Sequence, residues 1–194
     1  MNTKDYSELK GVNFERILHD QEKLMYLYEP VLKDRVKKFD INIFEDQELI
    51  KDFLLKRVIE ELVEACISFG EKDHFEEEIM DAFNFLVESY ILYGYRSKDL
   101  ASWIDEDKNL NYKDKKLSIL QVIEQIGLTC NLLKNRPWRR SQYVVDLLVF
   151  EREFEKIWIN FNSMCCSFSI HKKNLIKLWS LKYQVNIFRL KTQY

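Results

Sequence analysis

Residues 57 to 88 constrain the fold more than any other part of the chain, because they form two runs of helical periodicity around a short polar break. On both sides of the break, apolar residues recur at intervals of three and four, which is the spacing of an amphipathic helix. The break is the segment GEKDH, which begins at Gly70, and glycine favours a change of chain direction between helices. The stretch therefore predicts a helical hairpin.

Both halves of the predicted hairpin carry a pair of acids three residues apart. Glu61 and Glu64 form the first pair, and Glu78 and Asp81 form the second. At about 100° per residue, positions i and i+3 lie on neighbouring strips of one helix face. Measured from the centre of each apolar stripe, the two pairs fall at matching angles. The hairpin is therefore expected to present four carboxylates to one place.

Two interpretations of the four acids are open. Phe85 lies on the same flank as Glu78 and Asp81, and unpaired carboxylates beside apolar surface are costly. Mg²⁺ would offset that cost, because it takes hard oxygen ligands. The alternative is a solvated acidic face, which many helices have. The neighbouring acids that we expect to be solvated in this way are Glu60, Glu76, Glu77 and Glu88.

The scarcity of turn-forming residues extends the helical prediction to the whole chain. The 194 residues include only four glycines and two prolines, too few for the many turns of a β-sandwich or barrel. This length suffices for one domain with a substantial core. We therefore predict a single all-α helical bundle over residues 1 to 194, with the hairpin at its centre and residues 1 to 12 loosely ordered.

Capping residues and apolar spacing predict the individual helices. Asn13, Asp73, Ser97, Ser141 and Ser169 are the predicted N-caps. The stretch 33 to 43 is predicted to be a connector, and the segment DEDKNLNYKDKK a charged loop. The predicted helices cover residues 13 to 28, 45 to 69, 74 to 93, 97 to 103, 115 to 133, 141 to 161, and 169 to the C-terminus.

Charge and cysteine usage exclude several other classes of protein. The formal net charge of −2 indicates no general affinity for nucleic acid or a membrane surface. None of the four cysteines forms a C-x-x-C pair, so neither a zinc site nor a disulfide framework is predicted. No signal peptide or long apolar run is present. We expect a cytoplasmic protein without nucleic-acid or membrane partners.

Four segments together resemble the all-α nucleoside triphosphate pyrophosphatase superfamily, which includes the dimeric dUTPases and the phage-type dCTP/dUTP pyrophosphatases. The acids and Asn84 form E-x-x-E followed by E-x-x-D-x-x-N-F, similar to the superfamily signature. ILHDQEKL resembles its N-terminal helix, and KNRPW resembles the basic turn of phage members. LWSLKYQVNIFRLKTQY is similar to its C-terminal motif, with Trp179 in place of a tyrosine and Gln193 in place of a glycine.

The resemblance implies hydrolysis of dUTP, with dCTP as a further candidate, to a monophosphate and pyrophosphate. The four acids would hold two or three Mg²⁺ ions, for which Mn²⁺ can substitute, and Glu61 or Glu64 would act as general base. The resemblance also implies a homodimer. The implied contacts with the deoxynucleoside triphosphate are Gln21, Asn84, Lys134, Trp138, Lys182, Asn186 and Arg189.

Residue spacing supports part of this assignment and leaves alternatives open. Lys182 and Arg189 lie seven residues apart, two turns along one helix face, with Asn186 between them, which suits a row of phosphate oxygens. A solvated terminal helix would show the same spacing. Gln21 could pair with a pyrimidine edge or lie on the surface, and Trp138 could shield a base or pack. The competing functions are hydrolysis of another or a modified nucleotide, and a non-catalytic helical interaction protein.

Overall fold

The computed structural model describes residues 13–94, 114–138 and 140–192, and the regular structure within these ranges is helical. The all-α prediction is confirmed. The predicted loose N-terminus, the helix at 97 to 103, most of the charged loop, and Tyr194 lie outside the described residues.

The helices follow the predicted order with some changes of boundary. The π-helical segment joins α3 to α4 without a break, so the predicted helix 45 to 69 is one continuous stretch with a wider middle. The elements are α1 Phe14–Tyr28, α2 Leu32–Lys38, α3 Phe44–Lys51, the π-helical segment Asp52–Val58, α4 Ile59–Ile67, α5 Lys72–Leu92, α6 Lys115–Asn131, α7 Leu147–Ser167 and α8 Lys172–Thr192.

The predicted connector contains the short helix α2, so that prediction was wrong. The backbone N–H of Leu32 donates to Glu29, and that of Lys33 donates to Pro30, so the helix starts two residues after the proline. Leu32 is buried in the core. Seven residues offer too few apolar positions for a periodic signal, which is why the sequence pattern did not show this helix.

Three predicted N-caps were also wrong, namely Ser141, Asp73 and Ser169. Ser141 does not cap α7; Asp146 does, by accepting from the N–H of Val149. Residues 140 to 145, which precede Asp146, are not helical. Within them, the N–H of Tyr143 donates to Asn135 Oδ1 at 2.7 Å. Asp73 lies inside the first turn of α5, which begins at Lys72.

Ser169 ends α7 instead of starting α8. Its φ of 65° is in the left-handed region. The N–H of Ile170 donates to Cys165 at 2.8 Å, and that of Ser169 donates to Cys166 at 2.9 Å. This pair of bonds is the Schellman arrangement, in which glycine is the preferred residue at the left-handed position.

Ser169→Gly is therefore expected to raise the free energy of unfolding by about 0.5–1 kcal/mol, because glycine adopts this conformation without steric cost. Urea unfolding followed by circular dichroism measures the change. Arg152→Gly, at an exposed helical position, should instead lower the free energy of unfolding by about 1 kcal/mol. A Ser169→Gly protein no more stable than the parent would contradict this account of the turn.

α5 is the central helix, and it fixes the position of the acids. α1, α2, α4, the π-helical segment and α8 all pack against it. Its side chains are buried through most of its length, from Phe75 to Leu92. α6 and α7 pack along each other as a second hairpin, and α6 contacts α4. In the part of the chain that the structure describes, no helix is both long enough and apolar enough to cross a membrane.

Candidate metal centre and adjoining cavity

Three of the four predicted acids come together between α4 and α5. Glu61, Glu78 and Asp81 each offer a carboxylate oxygen within 4.8 Å of the others. Glu78 is buried, and the other two are half-buried. The hairpin geometry places them there, because α4 and α5 pack side by side and each acid lies at the edge of its apolar stripe.

The electrostatics of this group suit a cation. Burial, followed by the charge of Asp81, raises the pKa of Glu61 to about 8. Burial also raises the pKa of Asp81, although Lys182 opposes this. Glu61 has no cation among the groups that shift its pKa, whereas Asp81 has Lys182 beside it. A donor set made only of carboxylate oxygens fits Mg²⁺, Mn²⁺ or Ca²⁺, so these three residues could hold a metal ion.

Glu64 does not join this group. Its side chain is exposed. Spacing does not explain the difference, because Glu78 and Asp81 are also three residues apart; α8 packs against α5, and its Lys182 covers Asp81. The charge of Glu64 still contributes to the raised pKa of Glu61. The roles of Glu64 as metal ligand and general base remain predictions.

Lys182 of α8 forms ion pairs with two acids of α5, one of which belongs to this group. Its Nζ donates to Asp81 Oδ2 at 2.7 Å and to Glu77 Oε1 at 2.8 Å, and its side chain is only 11% exposed. Burial opposes the charge of Lys182, but the bonds to the two acids outweigh it and raise its pKa. Glu78, the third acid of α5 in this region, has His74 as its neighbour, with His74 Nδ1 3.0 Å from Glu78 Oε1.

A cavity of about 330 Å³ lies directly beside the acids, within the size range of small-molecule sites. α1, α4, α5 and α8 all contribute to its wall. It brings together most of the residues predicted to bind a nucleotide or metal, namely Gln21, Glu61, Asp81, Asn84, Lys182, Asn186 and Arg189.

A larger, open groove of about 530 Å³ runs between α5 and α8 on the outer side of Lys182. Apolar residues such as Met80 and Leu181 and charged residues such as Glu76 line it together. Neither Glu61 nor Asp81 lines it. We therefore place the candidate site in the smaller cavity, where polar groups from four helices converge.

Asn84 lines the cavity with an unsatisfied polar atom. It is 6% exposed, and its Oδ1 has no hydrogen-bond partner. A buried amide oxygen without a partner costs about 1–3 kcal/mol. Asn84 therefore has an unused acceptor close to the cavity.

Glu88 lies at the opposite end of the cavity from the acids, and the prediction that it is solvated was wrong. It is 7% exposed, and burial raises its pKa to about 7 even though a bond from Gln21 opposes this. Gln21 Nε2 donates to Glu88 Oε1 at 2.8 Å, and Trp179 Nε1 donates to Gln21 Oε1 at 3.2 Å. The spacing contained a signal, because Glu88 follows Asp81 by two helical turns on one face.

Arg57 is a second cavity residue that the sequence interpretation missed. Its guanidinium donates to Glu29 and Asp52 and lies 4.1 Å from the centre of the Phe53 ring. These bonds tie the π-helical segment to the end of α1. A π-helical turn changes the register of the side chains, so a count at about 100° per residue does not show which way Arg57 points.

Lys134 and Trp138 do not line this cavity. Both are exposed, Trp138 to 78%. The turn that carries them is fastened to the region of α3 by Asn135, whose N–H donates to Gln47 at 3.0 Å. Their predicted contacts with the nucleotide remain predictions.

The metal-free protein is expected to lose stability as the pH rises from about 5 to about 8, and Glu61→Gln should reduce this loss. The pKa of Glu61 is about 8 in the fold against a reference value of 4.5. Between these values the folded chain holds a proton that the unfolded chain has released, so raising the pH favours unfolding. Glu88, with its pKa of about 7, acts in the same direction.

Urea unfolding in EDTA at several pH values measures this dependence. Glu60→Gln, at an exposed position on α4, serves as the control and should keep the slope of the parent. An unchanged slope in Glu61→Gln would contradict the assignment of a raised pKa to that residue. Added Mg²⁺ should stabilise the parent more at pH 8 than at pH 5, because metal binding requires ionised carboxylates.

No protein-family model matches this chain, and the searches of curated proteins and solved structures found no match either. The fold and the site therefore define the class. It is an all-α protein with a candidate carboxylate metal centre beside a polar cavity.

Proposed function

We propose that the protein is a Mg²⁺-dependent nucleoside triphosphate pyrophosphatase that acts on dUTP, with dCTP as the second candidate. The observation that carries this proposal is the composition of the cavity. Acids from the hairpin, cations from α8 and an amide from α1 line one space, although they are separated by up to 168 positions in the chain, from Gln21 to Arg189.

The cavity has a direction that suits a nucleotide. Asp81 and Lys182 mark one end, and Gln21 and Glu88 mark the other. Asp81 and Glu88 are seven residues apart on α5, which corresponds to roughly 10 Å. A triphosphate at the Asp81 end would place the base near Gln21, with Asn84 beside the sugar or base between them.

Each residue then has a role. Glu61, Glu78 and Asp81 would hold Mg²⁺, which when bound would neutralise the phosphate oxygens and lower the pKa of a water molecule. Lys182 and Arg189 would bind the phosphate oxygens through charge-assisted hydrogen bonds. Of the two candidates for general base, Glu61 is favoured because it lines the cavity, whereas Glu64 is exposed. Attack of water on the α-phosphorus would break the bond to the β-phosphate and release pyrophosphate.

A panel of nucleoside triphosphates with product analysis tests the proposal. The protein with Mg²⁺ is expected to convert dUTP into equal amounts of dUMP and pyrophosphate. In water enriched in ¹⁸O, the label should enter dUMP, as attack on the α-phosphorus requires. Release of orthophosphate, or no turnover of any triphosphate, would refute the activity. Equal turnover of purines would refute base recognition by Gln21 and favour the broader substrate class.

A further inference from the structure

The side-chain amide of Gln21 is held at both of its polar atoms. Its Nε2 donates to Glu88 Oε1 at 2.8 Å, and its Oε1 accepts from Trp179 Nε1 at 3.2 Å. Gln21 is 2% exposed, so water does not compete effectively for these bonds. The two partners lie on different helices, Glu88 on α5 and Trp179 on α8.

The chemistry of the two partners permits only one orientation of this amide. An indole N–H can only donate, so the amide oxygen must face Trp179. A carboxylate accepts, and so the amide nitrogen faces Glu88. A flipped amide would set its N–H against the indole N–H and its oxygen against the carboxylate. Both hydrogen bonds would be lost, and each buried polar group left without a partner would cost about 1–3 kcal/mol.

We propose that Glu88 and Trp179 are positioning residues that lock the Gln21 amide and thereby make the cavity selective between uracil and cytosine. This inference rests on the proposed function. One N–H and one oxygen lone pair of the amide remain for a ligand, and the lock presents them in a fixed order. A glutamine without these two bonds could rotate its amide by 180° and pair with either base.

The two pyrimidines differ in the order of their hydrogen-bonding groups. Uracil has a donor at ring position 3 and an acceptor at position 4, whereas cytosine has an acceptor at position 3 and a donor at position 4. The apolar side chains of Leu24, Met25 and Phe85 also line the cavity and would hold the ring beside the amide. A locked amide then matches one base and faces the other with like groups, which should cost about a hundredfold in affinity.

Binding of the nucleosides tests the lock without any need for catalysis. NMR titrations with deoxyuridine and deoxycytidine should give affinities that differ by about a hundredfold in the parent protein. Trp179→Phe removes the indole donor, and Glu88→Met removes the acceptor, so either should bring the two affinities to within about tenfold. Glu88→Gln keeps an acceptor for Gln21 Nε2 and should retain most of the selectivity.

Trp158→Phe is the matched control. Trp158 is fully buried and packs edge-on against Phe83 and Tyr90, and none of the three lines the cavity. Its replacement should lower stability but leave the ratio of affinities unchanged. If Trp179→Phe and Trp158→Phe behave alike, the indole of Trp179 contributes only packing and the proposal is wrong.

The outcomes separate this inference from the proposed function. Selective nucleoside binding that depends on Trp179 and Glu88, without turnover of any triphosphate, would support the lock and refute the pyrophosphatase. Turnover of dUTP together with equal affinity for both nucleosides would support the pyrophosphatase and refute the lock. Failure of both nucleosides to bind, or a ratio that neither variant changes, would overturn the lock.

Discussion

Asp81→Asn is expected to lower kcat/KM for dUTP by at least about a hundredfold, since even the loss of a group that supports a metal ligand can cost this much. Asp81 belongs to the acid group and accepts from Lys182 at 2.7 Å. It also lines the cavity. Asparagine keeps the shape of the side chain but removes the charge that would attract a cation. Steady-state kinetics, together with Mn²⁺ binding followed by electron paramagnetic resonance, measures both effects.

Glu60→Gln is the control for this experiment. Glu60 lies next to Glu61 in the sequence, but its side chain is exposed and it is not part of the acid group. The substitution changes the net charge by the same amount as Asp81→Asn and should leave turnover and Mn²⁺ affinity nearly unchanged. Equal losses in the two variants would indicate a general effect of charge, and full activity of Asp81→Asn would exclude Asp81 as a metal ligand.

Lys182→Met is expected to change two measurements in opposite directions. Without nucleotide, Lys182 neutralises Asp81 and competes with a cation for it, so its removal should tighten Mn²⁺ binding by about tenfold. With nucleotide, the loss of a charged hydrogen bond to the triphosphate should lower kcat/KM by roughly tenfold to a hundredfold. Metal titrations and kinetics on the same preparation test both effects.

Lys191→Met provides the comparison on the same helix. Lys191 is exposed in the last turn of α8 and forms none of the contacts described for the acids. Its replacement should affect neither measurement. If Lys182→Met left metal affinity unchanged, the lysine would not compete for the metal site. If it weakened metal binding, Lys182 would instead support the acid group, and the proposed exchange would be wrong.

The sequence predicted the acid group well because the information is local. Glu78 and Asp81 lie on one helix, and a polar break places α4 beside α5, so helical geometry alone brings Glu61 close to them. The spacing of Lys182 and Arg189 was equally local. Glu64 illustrates where this reasoning stops, because it has the same spacing from Glu61 as Asp81 has from Glu78 and is nevertheless exposed. Periodicity does not resolve that difference.

Other features depended on contacts between distant parts of the chain. Asn135 accepts from the N–H of Tyr143 and so delays the start of α7, an effect that no capping rule for Ser141 contains. The π-helical segment changes the direction of Arg57. Glu88 resembles one more surface acid in the sequence, but in the fold it is buried and accepts a hydrogen bond from Gln21 of α1.

The amino-acid sequence by itself determined the helical class, the hairpin and the row of acids along it, because helix period, caps and breaks act within a few residues. Only the tertiary structure decided which polar groups are buried and what they face. Burial depends on helices brought together from opposite ends of the chain, as when α1, α5 and α8 enclose the Gln21 amide. In that enclosed space, the cost of an unsatisfied polar group turns an ordinary glutamine into one with a fixed orientation.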